Sequence, residues 1–122
     1  MKFFVVDDDP DSLALVTRLL TGAGHEVVVR GSSVEALRDI PDMRPDCVIT
    51  DVMMPVMSGH DVCLKVRERA DLRHIKILML SAKGYAAEVN KGMAIGADVY
   101  MTKPFSTKEL LSKVDQLLDL PA

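Results

Sequence analysis

Val48-Ile49-Thr50-Asp51-Val52-Met53-Met54-Pro55 is the stretch that decides the fold. Apolar and β-branched residues run into a single acid, and a loop broken by Pro55 follows. Such a run describes a buried strand that presents a carboxylate at the rim of a sheet. One acid after one strand is weak evidence, because many such residues cap the next turn. Three further runs end in a comparable way. Phe3-Phe4-Val5-Val6 closes on Asp7-Asp8-Asp9, Ile77-Leu78-Met79-Leu80 closes on Ser81, and Val99-Tyr100-Met101 is followed shortly by Lys103.

Outward from that stretch the chain alternates between strand and helix patterns. A first strand, Lys2 to Asp7, leads into a helix that Pro10 opens, with Asp8 or Asp9 as its cap. That helix stops at Gly22-Ala23-Gly24. Leu15, Val16, Leu19 and Ala23 are its expected inner stripe, with Leu13, Ala14 and Thr17 to one side. Glu26 to Arg30 is a second strand. Ser32 or Ser33 caps the next helix, which carries Val34, Ala36, Leu37 and Ile40 and is expected to end near Pro41. Asp46 to Thr50 is the third strand, and the loop Asp51 to Gly59 follows it. Ser58 caps a helix whose inner stripe is Val62, Cys63, Val66 and Ala70. Ile75 to Leu80 is the fourth strand, about Tyr85 to Ile95 a helix closed by Gly96, and Asp98 to Met101 the fifth strand. Ser106-Thr107-Lys108-Glu109 is a capping-box pattern opening a last amphipathic helix through Leu110, Leu111, Val114, Leu117 and Leu118.

Strict alternation of continuously apolar strands with helices predicts an α/β fold: a five-stranded parallel sheet doubly wound by five helices. For the strand order 2-1-3-4-5, ligands collect at the carboxyl ends of strands 1 and 3, where the order switches. Those strands end in Asp7-Asp8 and Asp51. The 122 residues, 48% hydrophobic, suffice for one domain spanning 1–122. A net charge of -3 gives no basis for direct nucleic-acid binding by the domain. No apolar run is long enough to span a bilayer and no signal-peptide plan opens the chain, so a cytoplasmic protein is expected. Cys47 and Cys63 read as small core residues, and His25, His60 and His74 as scattered surface or turn residues. Eight methionines suggest a core of flexible side chains.

Neighbouring strands lie about 5 Å apart, so Asp7 or Asp8 comes within a few Å of Asp51. Carboxylates that close repel one another unless a cation neutralises them. An all-oxygen set without His or Cys favours Mg²⁺, with Mn²⁺ as a possible substitute, over zinc. Strand 5 lies two spacings from strand 3, about 10 Å, much of which a lysine can cover. Lys103 then offers a point charge to an anion and Ser81 a hydroxyl donor. Together these groups suit an aspartate that attacks phosphorus and becomes an aspartyl phosphate. An aspartate-nucleophile phosphatase is the enzymatic rival, but such enzymes usually carry a second acid two residues after the nucleophile, where this chain has Met53. A flavin-binding redox module on the same architecture would need a phosphate loop after strand 1, where this chain has acids.

The set Val5-Val6-Asp7-Asp8-Asp9-Pro10, Thr50-Asp51-Val52-Met53-Met54-Pro55-Val56-Met57-Ser58-Gly59, Leu80-Ser81-Ala82 and Gly96-Ala97-Asp98 through Lys103-Pro104-Phe105 resembles the receiver domain of two-component response regulators, over essentially the whole chain. The resemblance implies a flavodoxin-like, CheY-like fold and a non-enzymatic signalling switch, with Asp51 as phosphoacceptor. It implies that Asp8 and Asp51 ligate Mg²⁺ directly, Asp7 through water, and Met53 through its backbone carbonyl. Ser81 and Lys103 would bind the phosphoryl group, and Ser81 with Tyr100 would form the switch that alters the face made by the fourth helix, fifth strand and last helix. The phosphodonor would be a sensor histidine kinase or a histidine phosphotransfer protein, and a cis Lys103–Pro104 bond is usual in the family. The Asp-Asp-Tyr run and the last-helix arginines that serve pairing in one DNA-binding branch are replaced by Asp98-Val99-Tyr100 and Lys113-Val114-Asp115, so pairing of that particular kind is not expected; the chain is expected to be a monomer or a phosphorylation-dependent dimer. Met53 and Lys83 occupy the two positions that tune phosphoryl lifetime. Leu13, Ala14, Thr17, Pro104 and Phe105 are a candidate docking patch for the phosphodonor's helices. The downstream effector is not named by any residue.

Overall fold

A computed structural model describes residues 1–82, 90–91 and 93–120. Five strands, β1 (Lys2–Val6), β2 (Glu26–Arg30), β3 (Cys47–Asp51), β4 (Lys76–Ala82) and β5 (Val99–Lys103), form one sheet of order β2-β1-β3-β4-β5. Every pairing is parallel. The helices are α1 (Pro10–Gly22), α2 (Ser33–Met43), α3 (Gly59–Glu68) and α4 (Thr107–Asp119), with a short 3-10 turn at Ala70–Leu72. Among the described residues there are thus four α-helices where five were expected. The expected helix from about Tyr85 to Ile95 falls mostly outside the described residues, although Asn90, Lys91, Met93 and Ala94 have helical backbone. Lys83 also lies outside them.

Alternation along the strands separates two cores. Phe4, Val6, Val48, Ile77 and Met79 face α2 and α3, where Ala36, Ile40, Val62, Cys63 and Val66 cover them. Phe3, Val5, Cys47, Ile49, Leu78 and Leu80 face α1 and α4, against Val16, Leu20, Leu110, Val114 and Leu117. A strand buried on both faces has no polar alternation to display, which is why these runs read as continuously apolar. No described helix is long and apolar enough to cross a membrane.

Local signals set most element ends. The Asp9 side chain caps α1 by accepting from Asp11 N–H, and Ser32 caps α2 by accepting from Glu35 N–H. Capping boxes are complete at Ser58/Asp61 and Ser106/Glu109. Pro41 does not end α2. The helix runs through it to Met43 and stops at Arg44, whose φ of 47° is left-handed. A proline inside a helix loses its own N–H bond and crowds the carbonyl four residues back, but here it sits in the last turn, which Ile40 still anchors in the core. Two inner-stripe expectations also shift. Ala23 and Ala70 are exposed, because α1 and α3 end before them, and Leu20 and Leu72 fill those ends of the cores. Val34, too, is exposed.

The edge remote from the acids is clamped by Arg67. Its guanidinium donates to the carbonyls of Gly96 (3.0 Å), Arg73 (3.1 Å) and Ile75 (2.6 Å) and to Asp98 Oδ2 (2.9 Å). Asp98 Oδ2 also accepts from Ile77 N–H at 2.8 Å, which ties the start of β5 to β4. Gly96 has φ 113°, which favours glycine, and a Cβ there would also crowd the Arg67 side chain at 3.0 Å.

Candidate functional site

The last β1–β3 pair in register is Val6 with Thr50, and the next residue on each strand is an acid. Asp7 is buried, Asp51 is the final residue of β3 and nearly buried, and Asp8 is exposed at the mouth. Each of the three offers a carboxylate oxygen, and these oxygens lie within 4.8 Å of one another. Asp7 Oδ1 accepts from Asp9 N–H at 3.0 Å, which turns the chain into α1. Asp51 Oδ1 accepts from Met53 N–H at 3.2 Å, while the Met53 side chain points to solvent.

Lys103 is the final residue of β5, at the edge of the sheet, yet its Nζ reaches the central strands. It donates to Asp7 Oδ2 at 2.7 Å and to Asp51 Oδ2 at 3.1 Å. Burial lowers the Lys103 pKa, but its bonds to Asp7 and Asp51 outweigh that and hold it above the ordinary lysine value. Burial pushes the Asp51 carboxyl upward, against the pull of Lys103. One ammonium against three carboxylates leaves the cluster negative. Its donors are all hard oxygens, so the residues present fit a magnesium-type cation. The Lys103–Pro104 bond is cis.

Ser81 lies inside β4, paired with Thr102 in register, and Asp51 is paired with Leu80. The Ser81 residue is buried and its Oγ has no hydrogen-bond partner among the described residues. A buried hydroxyl so placed has a donor to spare for an anion at the strand ends. The β3–α3 loop turns sharply at Val56, where Met57 N–H donates to the Pro55 carbonyl at 2.8 Å and Val56 has φ 70°. That is a γ-turn with a β-branched residue in the left-handed region. Gly59 closes the loop, its N–H donating to the Val52 carbonyl at 3.0 Å. A Cβ at Gly59 would press on the Asp51 backbone, so glycine here is a matter of space.

Two buried contacts have no counterpart in the sequence pattern of the site. His60, expected at the surface, is buried in the first turn of α3, with Nε2 3.1 Å from the Tyr100 hydroxyl. Its position three before Cys63, on the buried face, was the available signal. Ser33 is buried as well, and its Oγ donates to the Met57 carbonyl at 2.7 Å. Tyr100 itself is half-buried against the α2/α3 core. Of the docking candidates, Leu13, Ala14 and Thr17 line one shallow groove with Val29, whereas Pro104 and Phe105 line another with Ser12 and Leu15.

Comparison with known proteins places the chain in a family. The response regulator receiver domain model matches residues 3–115. The DNA-binding response regulator MtrA of Mycolicibacterium smegmatis is 40% identical over 113 residues, 93% of this chain and 48% of that protein. The chain therefore spans about half the length of the curated relatives it matches. Among solved structures, the chemotaxis protein CheY4 of Vibrio cholerae has a TM-score of 0.89 at 33% identity, covering 95% of this chain and 97% of that one. The receiver domain of the sensor histidine kinase PA1611 of Pseudomonas aeruginosa, described with a magnesium ion coordinated in its active-site cleft, has a TM-score of 0.87 at 22% identity, covering 98% of each chain. That last likeness speaks for the fold alone. With the family model spanning every acid and both strand-end donors of the cluster, the chain belongs to the response regulator receiver domain family.

Proposed function

We propose that residues 1–122 form a single receiver domain that acts as a phosphorylation-dependent switch in two-component signalling, with Asp51 as the phosphoacceptor. The observation that carries this reading is the convergence of Lys103 Nζ on Asp7 and Asp51 from the far edge of the sheet. An Asp51 carboxylate oxygen attacks the phosphorus of a phosphohistidine on a sensor kinase or phosphotransfer protein. The N–P bond breaks, the imidazole leaves with its electron pair, and an aspartyl phosphate remains. Lys103 and the Ser81 hydroxyl take the phosphoryl oxygens. Asp8 and Asp51, the Met53 carbonyl and, through water, Asp7 would hold Mg²⁺ or, in substitution, Mn²⁺. That cation, when bound, supplies positive charge to the phosphoryl group.

Output runs through Ser81 and Tyr100 to the face made by the expected helix of about Tyr85 to Ile95, β5 and α4. The domain regulates, and its chemistry is confined to its own phosphorylation and dephosphorylation. An aspartate-nucleophile phosphatase has no support here, because Met53 stands where its second acid would be. Relatives named as DNA-binding regulators are about twice as long, so any nucleic-acid contact belongs to an effector and not to this acidic domain. The chain works in the cytoplasm, as a monomer or a phosphorylation-dependent dimer. Mg²⁺-dependent labelling by acetyl phosphate, lost in Asp51→Asn, is the expected result. Labelling of Asp51→Asn equal to wild type would refute the assignment.

A further inference from the structure

The β3–α3 loop carries Met53 and is tied down at a point that phosphoryl transfer itself does not use. Gly59 closes its base, but its tip turns on Val56 at φ 70°, a residue 92% exposed. No packing of that side chain compensates for the conformation. A β-branched residue stays in the left-handed region only where its surroundings over-determine it.

Ser33 provides that constraint. It is the first residue of α2, 1% exposed, and its hydroxyl donates to the Met57 carbonyl at 2.7 Å while lying 3.6 Å from Met54 Sδ. The cap of α2 is already supplied by Ser32, so the Ser33 hydroxyl is not needed to start the helix. Ala36 and Ile40 fix α2 in the core, which makes Ser33 a rigid point from which to hold the loop. Only Met54, Pro55 and Val56 separate the clamped Met57 from Met53, whose N–H donates to Asp51.

We propose that Ser33 is a positioning residue for the site: its hydroxyl clamps the Met57 carbonyl, holds the Val56 turn, and so sets where the Met53 backbone stands beside Asp51. The inference deepens the reading of Asp51 and Met53 given above and rests on it. Ser33 touches neither the cation nor the phosphoryl group, and its effect passes entirely through the loop.

The test is a double-mutant cycle of Ser33→Ala and Val56→Gly. It is read by Mg²⁺ affinity from titration calorimetry and by the Met53 amide resonance of the metal-free protein. Losing one hydrogen bond should weaken Mg²⁺ binding in Ser33→Ala by about 2- to 12-fold and move the Met53 resonance. Glycine adopts positive φ without steric penalty, so Val56→Gly should restore most of the affinity to the Ser33→Ala chain. A Ser33→Ala protein that melts earlier yet binds Mg²⁺ as tightly as wild type would overturn the proposal. So would a double variant no better than Ser33→Ala. A wild-type chain that binds no Mg²⁺ at all would overturn the reading of the site itself, and this inference with it.

Discussion

Gly59→Ala probes the junction on which both the fold and the site depend. A Cβ at this position would stand 2.9 Å from the Asp51 carbonyl carbon and 3.0 Å from Val52 Cα, and closer still to the Asp51 oxygen. Ordinary carbon contacts are about 3.5–4.0 Å, so α3 and the end of β3 must separate by about 1 Å. Overpacking of this kind costs about 1–3 kcal/mol. The same movement stretches the Gly59 N–H bond to Val52, 3.0 Å in the native chain, beyond useful length. Its loss adds about 0.5–1.5 kcal/mol. Stiffening of the unfolded chain returns about 0.4–1 kcal/mol. The net loss is then centred near roughly 2 kcal/mol within a span of about 0.5–4 kcal/mol, and the central figure corresponds to a fall of roughly 6–10 °C in Tm for a domain of this size. Urea unfolding followed by circular dichroism measures the first figure and a thermal scan the second. A loss below about 0.5 kcal/mol would show that the backbone yields freely here, and the argument from space would be wrong.

Other expectations follow from the same contacts. Lys103→Met leaves Asp7 and Asp51 without their shared cation. Stability at pH 7 should fall by about 1–3 kcal/mol, and millimolar Mg²⁺ should restore much of it, as urea midpoints with and without the metal would show. Arg67→Lys cannot reproduce bonds to three carbonyls and Asp98 at once, so it should cost about 1–3 kcal/mol in chemical denaturation. Burial pushes the Cys47 and Cys63 thiols up to about 11. Native protein at pH 8 should react with an alkylating reagent only as fast as it unfolds. The unfolded thiols ionise from about pH 9, so stability should decline as pH rises from there toward 11, and less steeply in Cys47→Ala.

What the sequence determined by itself is whatever depends on neighbours along the chain. Strand runs, the Pro10 start, the Ser58 and Ser106 capping boxes and the acids that end β1 and β3 all express hydrogen bonding and periodicity within a few residues. Parallel order follows from the alternation of strand and helix, and it brings Asp7 beside Asp51 one step past the Val6–Thr50 pair. The placement of Pro41 inside α2, of Ala23 and Ala70 in solvent and of His60 beneath Tyr100 required knowing where each helix stops and what covers it. The site shows the division most clearly. That Lys103 could approach the acids was legible from strand spacing. That its Nζ bonds Asp7, 96 positions away, as well as Asp51 was decided by packing. Ser33 holding Met57 across two separate elements is the same case, since a contact between side chain and distant backbone leaves no period or spacing in the sequence.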